Sequence, residues 1–140
     1  MDKLFLEDLS VGQTAETSRP VGAADIDAFA AVSGDTNPVH VDEAYAATTS
    51  FGGRIAHGML AASYISAALG TKLPGPGAVY VSQSLKFRRP VKIGDEVTTR
   101  VTVKTIDERR GFVTLDTVCQ VGGKAVVDGE AMVIVPRRGA

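Results

Sequence analysis

The segment His57–Leu69, HGMLAASYISAAL, constrains the fold more than any other stretch of the chain. It carries no charge, is full of small residues, and is apolar on nearly every face. A helix of that kind is not amphipathic and has to be enclosed. The material to enclose it follows in residues 78–135, which are rich in valine and threonine and alternate with a period of two. In Val79–Arg89, the residues Val79, Val81, Leu85 and Phe87 share one face, and Tyr80, Ser82, Lys86 and Arg88 share the other. Glu96–Ile106 puts Val97, Val101 and Val103 together. Phe112–Val121 and Ala125–Val135 continue the pattern across Gly122-Gly123, a strong hairpin signal. Connections this short predict antiparallel neighbours. A further strand is expected at Gln13–Val21. One antiparallel sheet with an apolar face needs a cover, and the helix at 57–69 is the one large apolar object available. The expectation is an α+β chain, a sheet wrapped around one long central helix.

The rest of the chain reads as shorter elements. Ile26, Phe29, Ala30 and Val32–Ser33 form an apolar stripe at helical spacing, with Gly34 as the stop. The segment from Gly34 to His40 is a loop by composition. A short helix is expected around Asp42–Ala47 with Asp42 as its N-cap. Gly70 is expected to end the central helix, and Leu73-Pro-Gly-Pro-Gly77 to turn the chain. No repeat or linker divides the sequence, so its 140 residues predict one domain, 1–140.

Charge and cysteine usage exclude several functions. Fifteen basic against sixteen acidic residues give a net charge of −1, which predicts neither nucleic acid nor an anionic membrane as partner. Cys119 is the only cysteine, so no internal disulfide can form and a reducing compartment is expected. It lies on the alternating face Val113, Leu115, Thr117, Cys119, Val121, as a buried thiol would. The opening residues MDKLFLEDLSVGQ carry acids and no sustained apolar run, predicting neither a signal peptide nor a membrane span. A cytoplasmic location follows as the default.

The chemistry concentrates around the two histidines, His40 and His57. Asp35 and His40 stand five residues apart across Pro38, which fixes its own φ and pushes Asn37 toward extended geometry. Such a loop can aim both side chains into one cleft, with Asn37 tying it down through side-chain hydrogen bonds. A carboxylate and an imidazole around one water make a general acid–base pair. The spacing alone fits an Asx-turn with a surface histidine equally well. Two histidines without matching carboxylate spacing are a poor metal ligand set, and no metal or other cofactor is expected.

The two motifs together are more specific. Ser33-Gly-Asp35-Thr-Asn37-Pro38-Val-His40-Val-Asp42, followed by Ile55-Ala-His57-Gly58-Met59-Leu60, resembles the MaoC-like dehydratases of the hot-dog fold, and among them the single-domain (R)-specific enoyl-CoA hydratases. Gln83-Ser-Leu-Lys-Phe87, Pro90-Val91 and Gly94-Asp-Glu-Val97 carry the resemblance onward, so that it runs from about Val11 to Val135. It implies Asp35 and His40 as catalytic residues, the backbone N–H of Gly58 as receiver of the thioester carbonyl, and Ser66 as support for the aspartate. It also implies reversible hydration of trans-2-enoyl-CoA to the (R)-3-hydroxyacyl thioester by a homodimer.

Physical reasoning fits these implied roles. An enolate oxygen developing during hydration suits backbone donors at a helix N-terminus, and glycine allows close approach. His57 either anchors the helix start or meets substrate. Lys86, Arg88, Arg89 and Lys92 either solvate the outer sheet face or clamp coenzyme A phosphates. Acyl length is expected to depend on Ser66 and Leu69, an i,i+3 pair. An acyl-carrier-protein dehydratase, an acyl-CoA thioesterase and a non-catalytic acyl-CoA-binding module are the alternatives. The HGM motif with the Asn-Pro-His loop argues against the thioesterase, and the acid–base pair against the binding module. Polymer-precursor supply, fatty-acid oxidation and fatty-acid synthesis remain open as settings.

Overall fold

A computed structural model describes residues 3–139; Met1, Asp2 and Ala140 of the expected 1–140 domain lie outside the described residues. After a 3-10 turn at Leu6–Asp8 come β1 (Thr14–Pro20), α1 (Ala23–Ser33), α2 (Pro38–Val41), α3 (Glu43–Ala47) and α4 (Gly58–Thr71). The second half supplies β2 (Val79–Gln83), β3 (Lys86–Phe87), β4 (Glu96–Asp107), β5 (Phe112–Val121) and β6 (Lys124–Ile134). All strand pairs are antiparallel, in the order β1-β4-β5-β6-β2, with β3 also pairing β6. The central helix is wrapped by this sheet, the α+β hot-dog architecture expected from the sequence.

Alternation decides which face of the sheet meets the helix. Val97, Val101 and Val103 of β4, Val113, Leu115 and Cys119 of β5, and Val127, Ala131 and Val133 of β6 are buried. They join Leu60, Ala61, Ile65, Ala68 and Leu69 of α4 in one core. Small residues on α4 let the sheet close around it, so the enclosure expected from residues 57–69 is met. Cys119 Sγ lies 3.4 Å from both the Thr99 hydroxyl and the Ala61 carbonyl oxygen. Burial pushes this thiol up, which keeps it protonated and unreactive.

The structure corrects four local expectations. Val32 is 89% exposed and does not belong to the α1 stripe. Six residues beyond Ile26, it is turned by about 240° around the helix, away from the face that buries Ile26 and Ala30. Gly70 does not end α4, which runs to Thr71; the stop is Pro74, which has no N–H and disfavours helical geometry in the residue before it. The strand expected at 79–89 is interrupted at Ser84–Leu85. There the Ser84 carbonyl passes so close to β6 that a Cβ at Gly129 would lie 1.8 Å from its oxygen. Finally, β2 and β4 are not neighbours despite their short connection. Asp95 binds back to Val21, its carbonyl accepting from Val21 N–H at 2.9 Å, which delivers β4 to β1 instead.

Other elements are as read. Gly34 caps α1 in the left-handed region at φ 79°, Asp42 caps α3 by accepting from Tyr45 N–H at 3.1 Å, and Gly122-Gly123 joins β5 to β6. Among the described residues no helix is long and apolar enough to cross a membrane.

Candidate active site

The segment from Ser33 to His40 is held by its own side chains. Ser33 Oγ donates to Phe29 O at 2.7 Å and accepts from Asp35 N–H at 3.1 Å. Asp35 Oδ1 then accepts from Asn37 N–H, and Asn37 Oδ1 from Val39 N–H, each at 3.2 Å. Asn37 thereby caps α2, with Pro38 in the first helical turn, where a missing N–H costs nothing. The sequence reads this stretch as irregular throughout, yet its last residues form a single helical turn that carries His40. Asp35, His40 and His57 each place a carboxylate or ring atom within 4.8 Å of the other two.

Backbone carbonyls set the tautomers of both histidines. His40 Nδ1 lies 2.8 Å from Ile55 O, and a carbonyl can only accept, so Nδ1 carries the proton. Neutral His40 therefore presents a bare Nε2. His57 Nε2 lies 2.9 Å from Asp35 O and donates to it, leaving Nδ1 buried without a partner among the described residues. The two rings stack with centroids 4.0 Å apart and an interplanar angle of 27°. His57 thus fixes the Asp35 backbone, a role the sequence assigns only loosely to anchoring a helix start. With one nitrogen of each ring held by a backbone carbonyl, the trio suits an acid–base cluster.

His40, His57 and Gly58 line a cleft of about 510 Å³ together with Phe51, Phe87 and Arg88. Gly58 is the first residue of α4, so its N–H has no acceptor within the helix and stands at the positive end of the dipole. A Cβ at Gly58 would come within 2.7 Å of the Phe87 ring. Glycine here lets an aromatic ring lie over the helix start. Phe87 as a cleft wall was hidden in the sequence by its place in the alternating face of a strand.

A second cavity of about 540 Å³ is lined by Phe29, Ser66, Tyr80, Val81 and Leu85, and shares Met59 with the first. Ser66 is exposed there. It stands eight residues beyond Gly58, about 12 Å along the helix, and makes no hydrogen bond to Asp35 within the described chain. The support for Asp35 that the resemblance implies is therefore not made inside one chain. Leu69 is 2% exposed and packs in the core rather than in either cavity. Of the basic cluster, Arg88 and Arg89 reach the first cleft and Lys86 and Lys92 do not. Arg88 also makes two hydrogen bonds to Asp128, at 3.1 and 3.2 Å, and Arg89 donates to Ala125 O at 2.6 Å. Any phosphate must share these guanidinium groups with the sheet.

Residues 8–128 match the family model described as MaoC like domain. The chain is 56% identical over 135 residues to the (R)-specific enoyl-CoA hydratase of Rhodospirillum rubrum, covering 96% of this chain and 94% of that protein. The solved (R)-hydratase from A. caviae involved in PHA biosynthesis superposes with a TM-score of 0.90 at 50% identity, covering 93% of this chain and 99% of that one. Unliganded R-hydratase PhaJ1 from Pseudomonas aeruginosa gives a TM-score of 0.93 at 48% identity, with 96% and 87% covered.

Proposed function

The chain belongs to the MaoC-like domain family, and from that premise we propose that it is an (R)-specific enoyl-CoA hydratase, adding water reversibly to trans-2-enoyl-CoA. The observation that carries the site assignment is the junction of Asp35 and His40 in one cluster beside the free N–H at the start of α4. Water sits between the Asp35 carboxylate and the bare His40 Nε2. As its oxygen bonds to C3, one proton passes to this pair and one is delivered to C2, so the pair ends as it began. Negative charge moves meanwhile to the thioester oxygen, where the Gly58 N–H and the helix dipole receive it.

The two cavities, which share Met59 in their linings, suit a thioester whose reacting end lies by His40 and whose acyl chain runs past Met59 toward Ser66. Asn37 and His57 hold the loop, and Arg88 with Arg89 faces the coenzyme end. The protein acts as a homodimer: β2 is an edge strand, and Val79 and Val81 on it are exposed. A single, buried Cys119 supports a cytoplasmic location. Supply of (R)-3-hydroxyacyl thioesters for polyhydroxyalkanoate is a setting in keeping with the A. caviae relative.

Purified protein is incubated with crotonyl-CoA and octenoyl-CoA, with loss of the conjugated absorbance followed and the product's chirality determined. Mainly (R) product is expected. No hydration, or mainly (S) product, would overturn the assignment. Light scattering at assay concentration should give a dimer mass; a pure monomer would refute the quaternary proposal.

A further inference from the structure

Arg54 lies outside both sequence motifs' reacting residues, yet it touches both sides of the catalytic loop. Its side chain is 11% exposed, unusually covered for a guanidinium at the protein surface. Nε donates to the His40 carbonyl oxygen, and Nη2 donates to Asp27 Oδ1 on α1. His40 O is one of the last carbonyls of the four-residue helix α2, which has no following turn to satisfy it. The neighbouring residue completes the grip: Ile55 N–H donates to Val39 O at 3.3 Å, and Ile55 O accepts from His40 Nδ1 at 2.8 Å. Residues 54 and 55 therefore hold His40 by its backbone and its ring at once.

The geometry has a second consequence. Asp35 sits on the span between the end of α1 at Ser33 and the start of α2 at Pro38. Arg54 bridges those two helices, from Asp27 to His40. We propose that Arg54 is a positioning residue for the hydration reaction, with Asp27 as its anchor, setting the distance between Asp35 and His40 without touching substrate. This rests on the hydratase reading for its catalytic consequence, though the clamp itself does not. A planar fork is needed because one group must reach two acceptors in different directions, which a lysine ammonium at the same place does not do as well.

Arg54→Gln, Arg54→Lys and Asp27→Asn are compared with wild type by steady-state hydration of crotonyl-CoA and by the imidazole N–H signals of 15N-labelled protein. Small misplacements of reacting groups cost on the order of a hundredfold, so Arg54→Gln should lower kcat by about ten- to a hundredfold. KM should stay nearly constant, since no substrate contact is lost. The His40 Nδ1–H signal should weaken in parallel. Arg54→Lys should recover part of both, and adding Asp27→Asn to Arg54→Gln should cost nothing further, because the two act as one unit. Wild-type kcat together with an intact His40 signal in Arg54→Gln would overturn the proposal. Should that variant fail to fold, Arg54→Lys decides, and full kcat in it overturns the proposal equally. If the His40 signal depends on Arg54 while wild type hydrates no enoyl-CoA, the clamp stands and the proposed function falls.

Discussion

Two walls of the candidate site, which spans both cavities, are held in opposite ways. On one side, residues 33–40 and 54–58 tie nearly every polar group to a neighbour: Asp35 to Asn37, His57 to the Asp35 carbonyl, His40 to Ile55 and Arg54. On the other, β2 and β3 form a broken edge strand with Val79, Val81 and Phe87 exposed. The polar wall is tied down within one chain, with His57 Nδ1 left unpartnered among the described residues, whereas the apolar wall presents an unpaired edge and uncovered side chains. The contrast separates two requirements. Proton transfer needs groups placed to within a fraction of an ångström, and local hydrogen bonds supply that. Acyl recognition needs apolar area, which a sheet edge can leave for substrate and a second copy to cover.

The largest effects should come from the polar wall. Asp35→Asn and His40→Gln each remove half of the proposed acid–base pair and should lower kcat by about 10²–10⁴-fold, with the fold and oligomeric state unchanged by circular dichroism and light scattering. Near-wild-type turnover in either would show that this wall only shapes the cleft.

Next is Gly58, where the two walls meet. Gly58→Pro deletes the N–H proposed to receive the thioester oxygen, and His57, at φ −58° and ψ 137°, already has the geometry a residue before proline prefers. A loss of roughly 10²–10³-fold in kcat is expected, as for other single oxyanion donors. Gly58→Ala keeps the donor, but its methyl group collides with the Phe87 ring. Comparing both in a Phe87→Ala background removes the collision and isolates the donor. Equal rates for proline and alanine there would discard the Gly58 N–H as the oxyanion site.

The apolar wall should give selectivity changes. Ser66→Leu adds bulk to the second cavity and should reduce octenoyl-CoA turnover relative to crotonyl-CoA by about 10–200-fold, the range for a methylene-scale change in an apolar pocket. An unchanged ratio would place the acyl chain elsewhere. The smallest effect is assigned to Arg88→Ala. Arg88 is half-exposed and already paired with Asp128, and an exposed charge contact to substrate is worth at most about 1 kcal/mol, so KM for the CoA ester should rise no more than about fivefold, with kcat unchanged. A larger rise would make Arg88 a principal phosphate contact.

Much of this was legible in the residues themselves. The apolar helix at 57–69, the period of two from Val97 to Val133 and the Gly122-Gly123 hairpin are local patterns, and burial follows them directly. The Asp35–His40 loop could be read because proline, asparagine and a short spacing act over a few bonds. Arg54 could not be read that way, since its partners lie 14 and 27 residues away. Nothing about an arginine after Gly52-Gly53 says which carbonyl it will meet.

The chain alone therefore determined most of the elements, the enclosed helix and the residues to which proton transfer is assigned by proposal, because periodicity, capping and turn chemistry are short-range. Tertiary structure decided the rest. It routed β4 to β1 rather than β2 and laid Phe87 over Gly58. It also fixed both histidine tautomers by supplying carbonyls from distant segments, Ile55 for His40 and Asp35 for His57. Each depends on which surfaces come together once the sheet closes around α4, a matter of long-range packing that no run of neighbouring residues encodes.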